Sequence, residues 1–476
     1  MQQELIANVV EEVLRRMNGG GQAPSVTAAP KSSGRPASPS TGLFTEVEPA
    51  VVAAERAQQQ LEKAGMKVRA QICDLYKKIA LDNADAWGRF ELEETKVGRL
   101  DHKIAKLKLL ETVPAVEFLV SPAHSGDDGI SLDEAAPWGV IGVITPVTHS
   151  IPTMTANAIS MIAAGNAMVV NPHPSGAKSA ALAAETFNKA VREKFGIDPL
   201  ICLIDPPTLR TAEEIFRHER IPLLVATGGP AVARAAMKQP KRAIVAGPGN
   251  PPVVVDETAD LDNAAESIIV GAGFDNNLLC IGEKEVFVVE SVFTKMMAAM
   301  RKAGAVELNA QQIKKLTDVA LEWHNDHWVA KREFVGADAK VLAQAAGASC
   351  GSDVDLLFGE TSADNPFVPT EQMMPFVPFV RVRDFEHGLK LAVENEHGFG
   401  HTAIIHSNNL ANITRMGKVM NTTICVANGP CTAGLGVGGE GYPSFSIATP
   451  SGEGITTPLT FTRFRRLTVS GSLRIV

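Results

Sequence analysis

Six cysteines stand at positions 73, 202, 280, 350, 425 and 431, and Cys280 has the surroundings a nucleophile needs. It ends the run Phe274-Asp275-Asn276-Asn277-Leu278-Leu279, which follows Gly271 and Gly273 and leads through Ile281 and Gly282 to Glu283 and Lys284. Asp and Asn side chains and glycines can shape an approach there, and a strand-like segment follows. By residue type alone a lone cysteine is more often small apolar filler, so its context must decide. No two cysteines form a CxxC pair, which excludes a zinc ribbon and a disulfide framework. In a reducing compartment all six are free thiols. The histidines invite a metal reading at His324 and His327, and again at His397, His401 and His406. No acidic or cysteine partners complete a ligand set, and Gly398 and Gly400 spoil a helical pair, so no metal is expected. Gly434, Gly436 and Gly439 satisfy GxGxxG, but Glu440 to Pro443 follows instead of a helix. That spacing counts as a dinucleotide fingerprint only between a strand and a helix.

The elements that would position Cys280 read as alternating strands and helices. Val47 to Thr112 is amphipathic and helical. Strand-like segments follow at 138–146, 167–171, 200–204 and 223–226, with helices at 152–164, 176–195 and 211–218, and another running to Met237. Such a series predicts a parallel sheet covered on both faces. Ligands of such sheets sit beyond the carboxyl ends of the strands. Those ends are Thr145-Pro146, Asn171 to Pro174 with His173 between them, and Thr227-Gly228-Gly229. The glycine pair lets backbone approach a pyrophosphate at a helix N-terminus. A second series starts near Pro252. It runs through Val253 to Asp256, a helix at 259–271, the Cys280 region, a strand at 285–290 and a long helical stretch beyond. The fold class is therefore α/β, with two doubly wound parallel-sheet domains.

The composition suits a soluble enzyme of more than one domain: 476 residues, 45% hydrophobic and 21% charged. A net charge of −8 without a long basic run argues against nucleic acid as partner. No apolar run reaches the ~20 residues of a membrane-spanning helix, so no membrane association is expected. The start lacks the basic and apolar regions of a signal peptide, and a cytoplasmic location follows. Residues 1–17 read as a short amphipathic helix, with Leu5, Ile6, Val9, Val10, Val13, Leu14 and Met17 on one stripe. Residues 18–41 are rich in Gly, Pro, Ser and Ala and read as a flexible tether. So short a helix gains stability by burying its stripe on a partner, on its own body or on sister subunits.

Several ordered motifs carry a resemblance that spans about Gly42 to Val476. They are Ala136 to Val140, Asn157 to Ser160 with Ala163 to Asn166, Asn171 to Pro174, Thr227 to Gly229 and Gly249 to Asp260. Phe274 to Asn277 ahead of Cys280, Asn428 to Pro430, Gly438 to Gly441 and Thr449 to Gly454 complete the set. Together they resemble the CoA-acylating branch of the aldehyde dehydrogenase superfamily, and within it the enzymes of bacterial microcompartments that oxidise acetaldehyde or propionaldehyde. The resemblance implies a nucleotide-binding domain at 42–252, a catalytic domain at 253–433 and a C-terminal return at 434–476. Residues 121–137 and the last strand would form a small β oligomerisation arm, giving a homodimer or tetramer. Residues 1–17 would be an encapsulation peptide that binds a shell protein and carries the enzyme into the microcompartment.

The same resemblance implies the chemistry. Cys280 adds to the aldehyde as thiolate, oxidation leaves a thioester on it, and coenzyme A takes the acyl group. The Cys280 N–H is the first oxyanion donor. Close relatives carry Thr-Asn where this chain has Thr148-His149, so His149 either donates from a ring nitrogen in place of the asparagine amide or merely occupies its space. Glu371 matches the glutamate that holds the nicotinamide ribose, and Ala246 and Gly247 join the cofactor set. Hydrolytic relatives activate water with a glutamate, which Val245 to Asn250 lacks. A lysine near the adenosine ribose is missing as well, Asn171 to Pro174 occupying that stretch, which favours NAD over NADP. Cys431, after Gly429-Pro430, would line the active site. Three other functions compete: a hydrolytic aldehyde dehydrogenase, an acyl-phosphate reductase, and a scaffold that works through its N-terminal helix.

Overall fold

The computed structural model describes residues 41–476. The N-terminal helix and nearly all of the tether expected from the sequence lie outside these residues. The chain divides into two compact units. One takes the residues to Thr95, Lys106–Gly247 and Ser444–Val476; the other takes Lys96–Ala105 and Pro248–Pro443.

The first unit is built on a six-stranded parallel sheet. Its strands, in spatial order, are Leu43–Phe44, Ile201–Ile204, Ala167–Pro172, Val140–Thr145, Leu223–Thr227 and Arg242–Ala246. After the edge strand Leu43–Phe44, the chain re-enters the sheet in the middle at Val140–Thr145, winds outward through Ala167–Pro172 to Ile201–Ile204, then returns to wind the other way. The reversal puts a topological switch point between Val140–Thr145 and Leu223–Thr227. Helix Ser150–Ala163 is buried along its whole length, in keeping with a sequence that carries no charged residue. The helical stretch expected at 47–112 is divided. Gly65 takes φ 79° inside helix Val47–Asp82, and separate helices follow at Ala84–Thr95 and Leu100–Leu109.

An antiparallel three-stranded sheet completes this unit: Ala123–Gly126, Gly129–Pro137 and Thr462–Ser470. The last strand lies along Gly129–Pro137 in register from Thr462↔Pro137 to Ser470↔Gly129. Arg466 grips Asp133 with two hydrogen bonds of 2.6 Å. Phe464 and Leu467 remain largely exposed on this strand.

The second unit has a seven-stranded parallel sheet in the order Val306–Glu307, Leu357–Thr361, Phe376–Val382, Glu285–Val289, Pro252–Val255, Thr402–His406 and Ile424–Ala427. One face is covered by a cluster that includes Phe287, Val380, Leu389 and Met416, while Leu316, Leu342, Phe367 and Phe376 belong to a second cluster. The long helical stretch expected after residue 290 is broken. Helix Glu290–Lys302 stops before Gly304 at φ 102°, and helix Ala310–Ala320 starts afresh under an Asn309 cap. A hairpin follows, Leu321–His324 with His327–Ala330. Its turn residues Asn325 and Asp326 both adopt the left-handed conformation that a two-residue hairpin turn demands. Among the described residues no helix is long and apolar enough to cross a membrane.

Candidate active site

The first unit gathers the expected cofactor residues along one sheet edge. The pairings Thr145↔Pro172, Ile144↔Ala226 and Thr227↔Ala246 set the carboxyl ends of four adjacent strands side by side. Thr145, Pro146, Asn171, His173, Pro174, Thr227, Gly228, Gly229, Ala246 and Gly247 all lie on or just beyond those ends. The Thr145 hydroxyl is buried and has no hydrogen-bond partner among the described residues. Gly229 caps helix Pro230–Met237, and a Cβ there would meet no neighbouring atom. Packing therefore does not demand this glycine, whereas close approach of a phosphate would. An orphaned hydroxyl and an open glycine at a switch point fit a dinucleotide.

Other side chains on this edge are already occupied. Asn171 Oδ1 accepts from the Thr211 hydroxyl at 2.6 Å, which steadies the capping loop of helix Leu209–Arg217. His173 Nδ1 accepts from the Ser175 N–H at 3.1 Å. The Thr227 hydroxyl meets the Ser446 hydroxyl at 2.7 Å. The hairpin Ile447–Ala448 with Gly454–Ile455 packs beside this edge. Its Pro450 leaves no room for a side chain at Gly247, and the Ser451 hydroxyl accepts from the Val245 N–H.

His149 sits at the cap of helix Ser150–Ala163 and is buried. Its Nδ1 lies 2.9 Å from the ammonium of Lys106, which is itself buried and also donates to Thr148 O. A lysine ammonium only donates, so Nδ1 accepts and the imidazole proton resides on Nε2. The ring is thereby fixed as a neutral Nε2–H donor. Sequence reasoning did not single out Lys106, because a lysine on an amphipathic helix reads as a solvated face.

The second unit holds Cys280 and Glu371, and it holds them at the amino ends of its strands. Cys280 precedes strand Glu285–Val289, Glu371 precedes the adjacent Phe376–Val382, Gly249 precedes Pro252–Val255, and His401 precedes Thr402–His406. Cys280 is partly exposed. Gly249 approaches its carbonyl so closely that any side chain at 249 would overlap it. The Gly249 N–H donates to Glu371 Oε1 at 3.1 Å.

The loop before Cys280 is unusual in its backbone. Asp275, Asn276 and Asn277 take φ of 50°, 57° and 63° in succession. Asp and Asn tolerate that conformation better than other side-chain-bearing residues, and here each is tied down. Asp275 accepts from the Arg99 N–H at 2.9 Å, and Asn276 Nδ2 donates to Gly336 O and Asp338 Oδ1. Asn277 Nδ2 donates to Glu283 O.

The electrostatics of this unit are dominated by burial. Burial pushes the Cys280 thiol up to about 12, with Glu371 adding to the shift and Lys284 opposing it. Glu371 is raised to about 7 by burial, against the pull of Lys284 and the Gly249 N–H. Glu283 is likewise raised to about 7 by burial, and its Oε1 accepts from the Cys431 N–H at 2.8 Å. Burial, then Glu283, holds the Cys431 thiol well above its ordinary value, so it stays protonated. Burial lowers His401 to about 4. Glu283 and Lys284, buried beside this group, were not singled out from the sequence. Their signal was a charged triplet, Glu283-Lys284-Glu285, opening an otherwise apolar strand. Among the described residues no group of three or more His, Cys, Asp or Glu side chains could hold a metal. The GxGxxG stretch forms a short 3-10 turn, Cys431–Leu435, and a loop, with no helix after it.

Residues 29–444 match the pattern of the aldehyde dehydrogenase family. The chain belongs to that family. The acetylating acetaldehyde dehydrogenase EutE of Salmonella typhimurium is 42% identical over 482 residues, covering 100% of both chains. Among solved structures, a propionaldehyde dehydrogenase from the Clostridium phytofermentans fucose utilisation bacterial microcompartment is 40% identical. It aligns over 91% of this chain and 100% of its own with a TM-score of 0.89. The Rhodopseudomonas palustris propionaldehyde dehydrogenase with bound CoA and an acylated cysteine is 38% identical, with a TM-score of 0.89 over 92% of this chain and 100% of its own. This aldehyde dehydrogenase is thus an oxidoreductase of the acetylating, CoA-dependent type.

Proposed function

We propose that this enzyme converts acetaldehyde or propionaldehyde to the corresponding acyl-CoA, with Cys280 as nucleophile and NAD as oxidant. The Cys280 thiolate adds to the carbonyl carbon. The Cys280 N–H is one donor for the oxygen that becomes negative, and the family resemblance assigns the second to the Nε2–H of His149. NAD, when bound, supplies the hydride acceptor. Thr145 and the backbone at Gly228 and Gly229 hold the dinucleotide, with Pro146, Asn171, His173, Pro174, Thr227, Ala246 and Gly247 shaping the same edge. Glu371, as carboxylate, accepts from ribose hydroxyls. The acyl group then stays on Cys280 as a thioester until a CoA thiolate attacks its carbonyl and releases the Cys280 thiolate.

The observation that carries the acylating reading is at Gly249. The stretch where hydrolytic relatives carry a water-activating glutamate contains no carboxylate here, and packing on the Cys280 carbonyl forbids a side chain at 249. Without a positioned base, water attacks a thioester slowly, whereas the CoA thiol is a far better nucleophile. The acylated cysteine and CoA of the Rhodopseudomonas palustris enzyme support the same order of events. The test is a single-turnover experiment without CoA. One NADH should form per Cys280, leaving a propionyl group on that residue by peptide mass, and added CoA should release it. Continuous NADH formation with no acylated peptide would contradict the reading.

Microcompartment residence is supported by the microcompartment source of the Clostridium phytofermentans relative, with residues 1–17 acting as an encapsulation peptide that docks on a shell protein. The exposed edge strand Thr462–Ser470 suits pairing between subunits, giving a dimer or tetramer. Removing residues 1–41 should leave turnover intact and abolish shell association.

A further inference from the structure

Lys284 is the most conspicuous side chain that the proposed chemistry leaves without a task. It is fully buried, at the start of a central strand, directly after the nucleophile loop. Its ammonium donates to Asn277 O at 2.9 Å, to Leu279 O at 3.0 Å, and to Asn277 Oδ1 in a very short contact. All three acceptors belong to the loop that ends in Cys280, and none is a carboxylate. Asn277 answers by donating to Glu283 O, so the two residues clasp each other across the turn. The Lys284 carbonyl in turn accepts from Gln372 Nε2 at 3.0 Å, and that same amide nitrogen donates to Phe376 O. One residue therefore ties down the segment carrying Cys280 and the segment carrying Glu371.

A buried ammonium bonded only to neutral oxygens keeps its charge unpaired at short range, which is costly unless anions lie nearby. Burial lowers the Lys284 pKa, and the acidic groups around it, Glu371 first and then Cys280, Cys431 and Glu283, work to keep it charged. On the other side it opposes protonation of His401 and pulls on Glu285, whose further neighbour is Glu396. We propose that Lys284 is a positioning residue of the reaction: it clamps the left-handed loop that aims Cys280 and supplies the positive charge that favours the Cys280 thiolate. This rests on Cys280 being the nucleophile. Burial works against that thiolate, and Lys284 is the one cation within this group of residues that works for it.

The test follows alkylation of Cys280 by iodoacetamide as a function of pH, read by peptide mass so that Cys350 and Cys425 do not interfere. Lys284→Gln keeps a polar side chain and removes the charge. The alkylation midpoint should rise by at least about one pH unit, making the reaction at pH 7 roughly tenfold slower or more. kcat for CoA-dependent turnover should fall at least as far. Asn277→Asp gives a second route, because a carboxylate against the ammonium neutralises its charge while Lys284 stays in place. It too should raise the midpoint, and it carries the test if Lys284→Gln yields no folded protein. A purely structural role would instead speed labelling of the buried Cys202 and Cys431 and leave the Cys280 midpoint where it was. That result, or an unmoved midpoint in Asn277→Asp, overturns the proposal. A Cys280→Ala variant that kept its turnover would be a separate failure, of the nucleophile rather than of Lys284.

Discussion

Three side chains carry most of the account, and each can be tested alone. Cys280→Ala should lose turnover entirely while keeping its fold, since Cys280 lies in a partly exposed loop and alanine removes only its sulfur. His149 is expected to act as a hydrogen-bond donor with its proton fixed on Nε2 by Lys106. Removal of one oxyanion donor costs about 10²–10³ in kcat. His149→Ala should fall in that range, His149→Asn should restore much of the loss, and steady-state rates at saturating aldehyde would show it. Glu371 titrates near 7, so its carboxylate form, the better acceptor for ribose hydroxyls, prevails only above that pH. KM for NAD should therefore rise as pH falls below 7, and Glu371→Gln should show a raised KM with no such dependence. Of these three, Cys280 was the one that its neighbours and the family motifs singled out in the sequence. The tautomer of His149 was not, because it depends on Lys106, forty-three residues away in the chain.

At the level of elements, the alternation of strands and helices was plain in the sequence because buried parallel strands are short and apolar and the helices between them are amphipathic. In the first sheet the residues singled out at the carboxyl ends of strands do share one edge. The second sheet runs the other way. Cys280, Glu371, Gly249 and His401 all precede their strands, so a search at carboxyl ends would have passed over the proposed nucleophile. Periodicity cannot reveal which end of a sheet carries chemistry. It also could not reveal the break after residue 302, where Gly304 and the Asn309 cap interrupt a helical pattern. Gly249 is the most sensitive point of this edge. Gly249→Ala would drive a methyl into the Cys280 carbonyl, so both activity and stability should drop, the latter by about 1–3 kcal/mol in denaturant unfolding. An unchanged unfolding midpoint with full activity would mean that the close approach is not needed.

Taken over the whole molecule, burial of ionisable groups sets how stability varies with pH. Glu283 and Glu371 titrate near 7 when folded and near 4.5 when unfolded. Between those values the folded chain keeps protons that the unfolded chain has lost, so their contribution is full below 4.5 and fades as pH rises to 7. His401 and His406 shift from 6.5 to about 4, and their contribution fades instead as pH falls through that range. The two effects oppose each other, and removing one carboxyl should expose the balance. The stability of Glu371→Gln relative to the unaltered enzyme should grow as pH rises from 4.5 to 7 and level off above. Equilibrium unfolding at several pH values reads this directly, and a difference independent of pH would refute it. None of this was visible in the sequence, where a net charge of −8 says nothing about which acids are buried.

The central claim is that Cys280 passes its acyl group to CoA rather than to water. It is tested most directly by NADH formation from propionaldehyde and NAD with and without CoA, with the product identified by mass spectrometry. Turnover that requires CoA and yields propionyl-CoA is the predicted result. Sustained turnover without CoA, yielding propionate, would contradict it and would mean that a group other than the absent glutamate activates water.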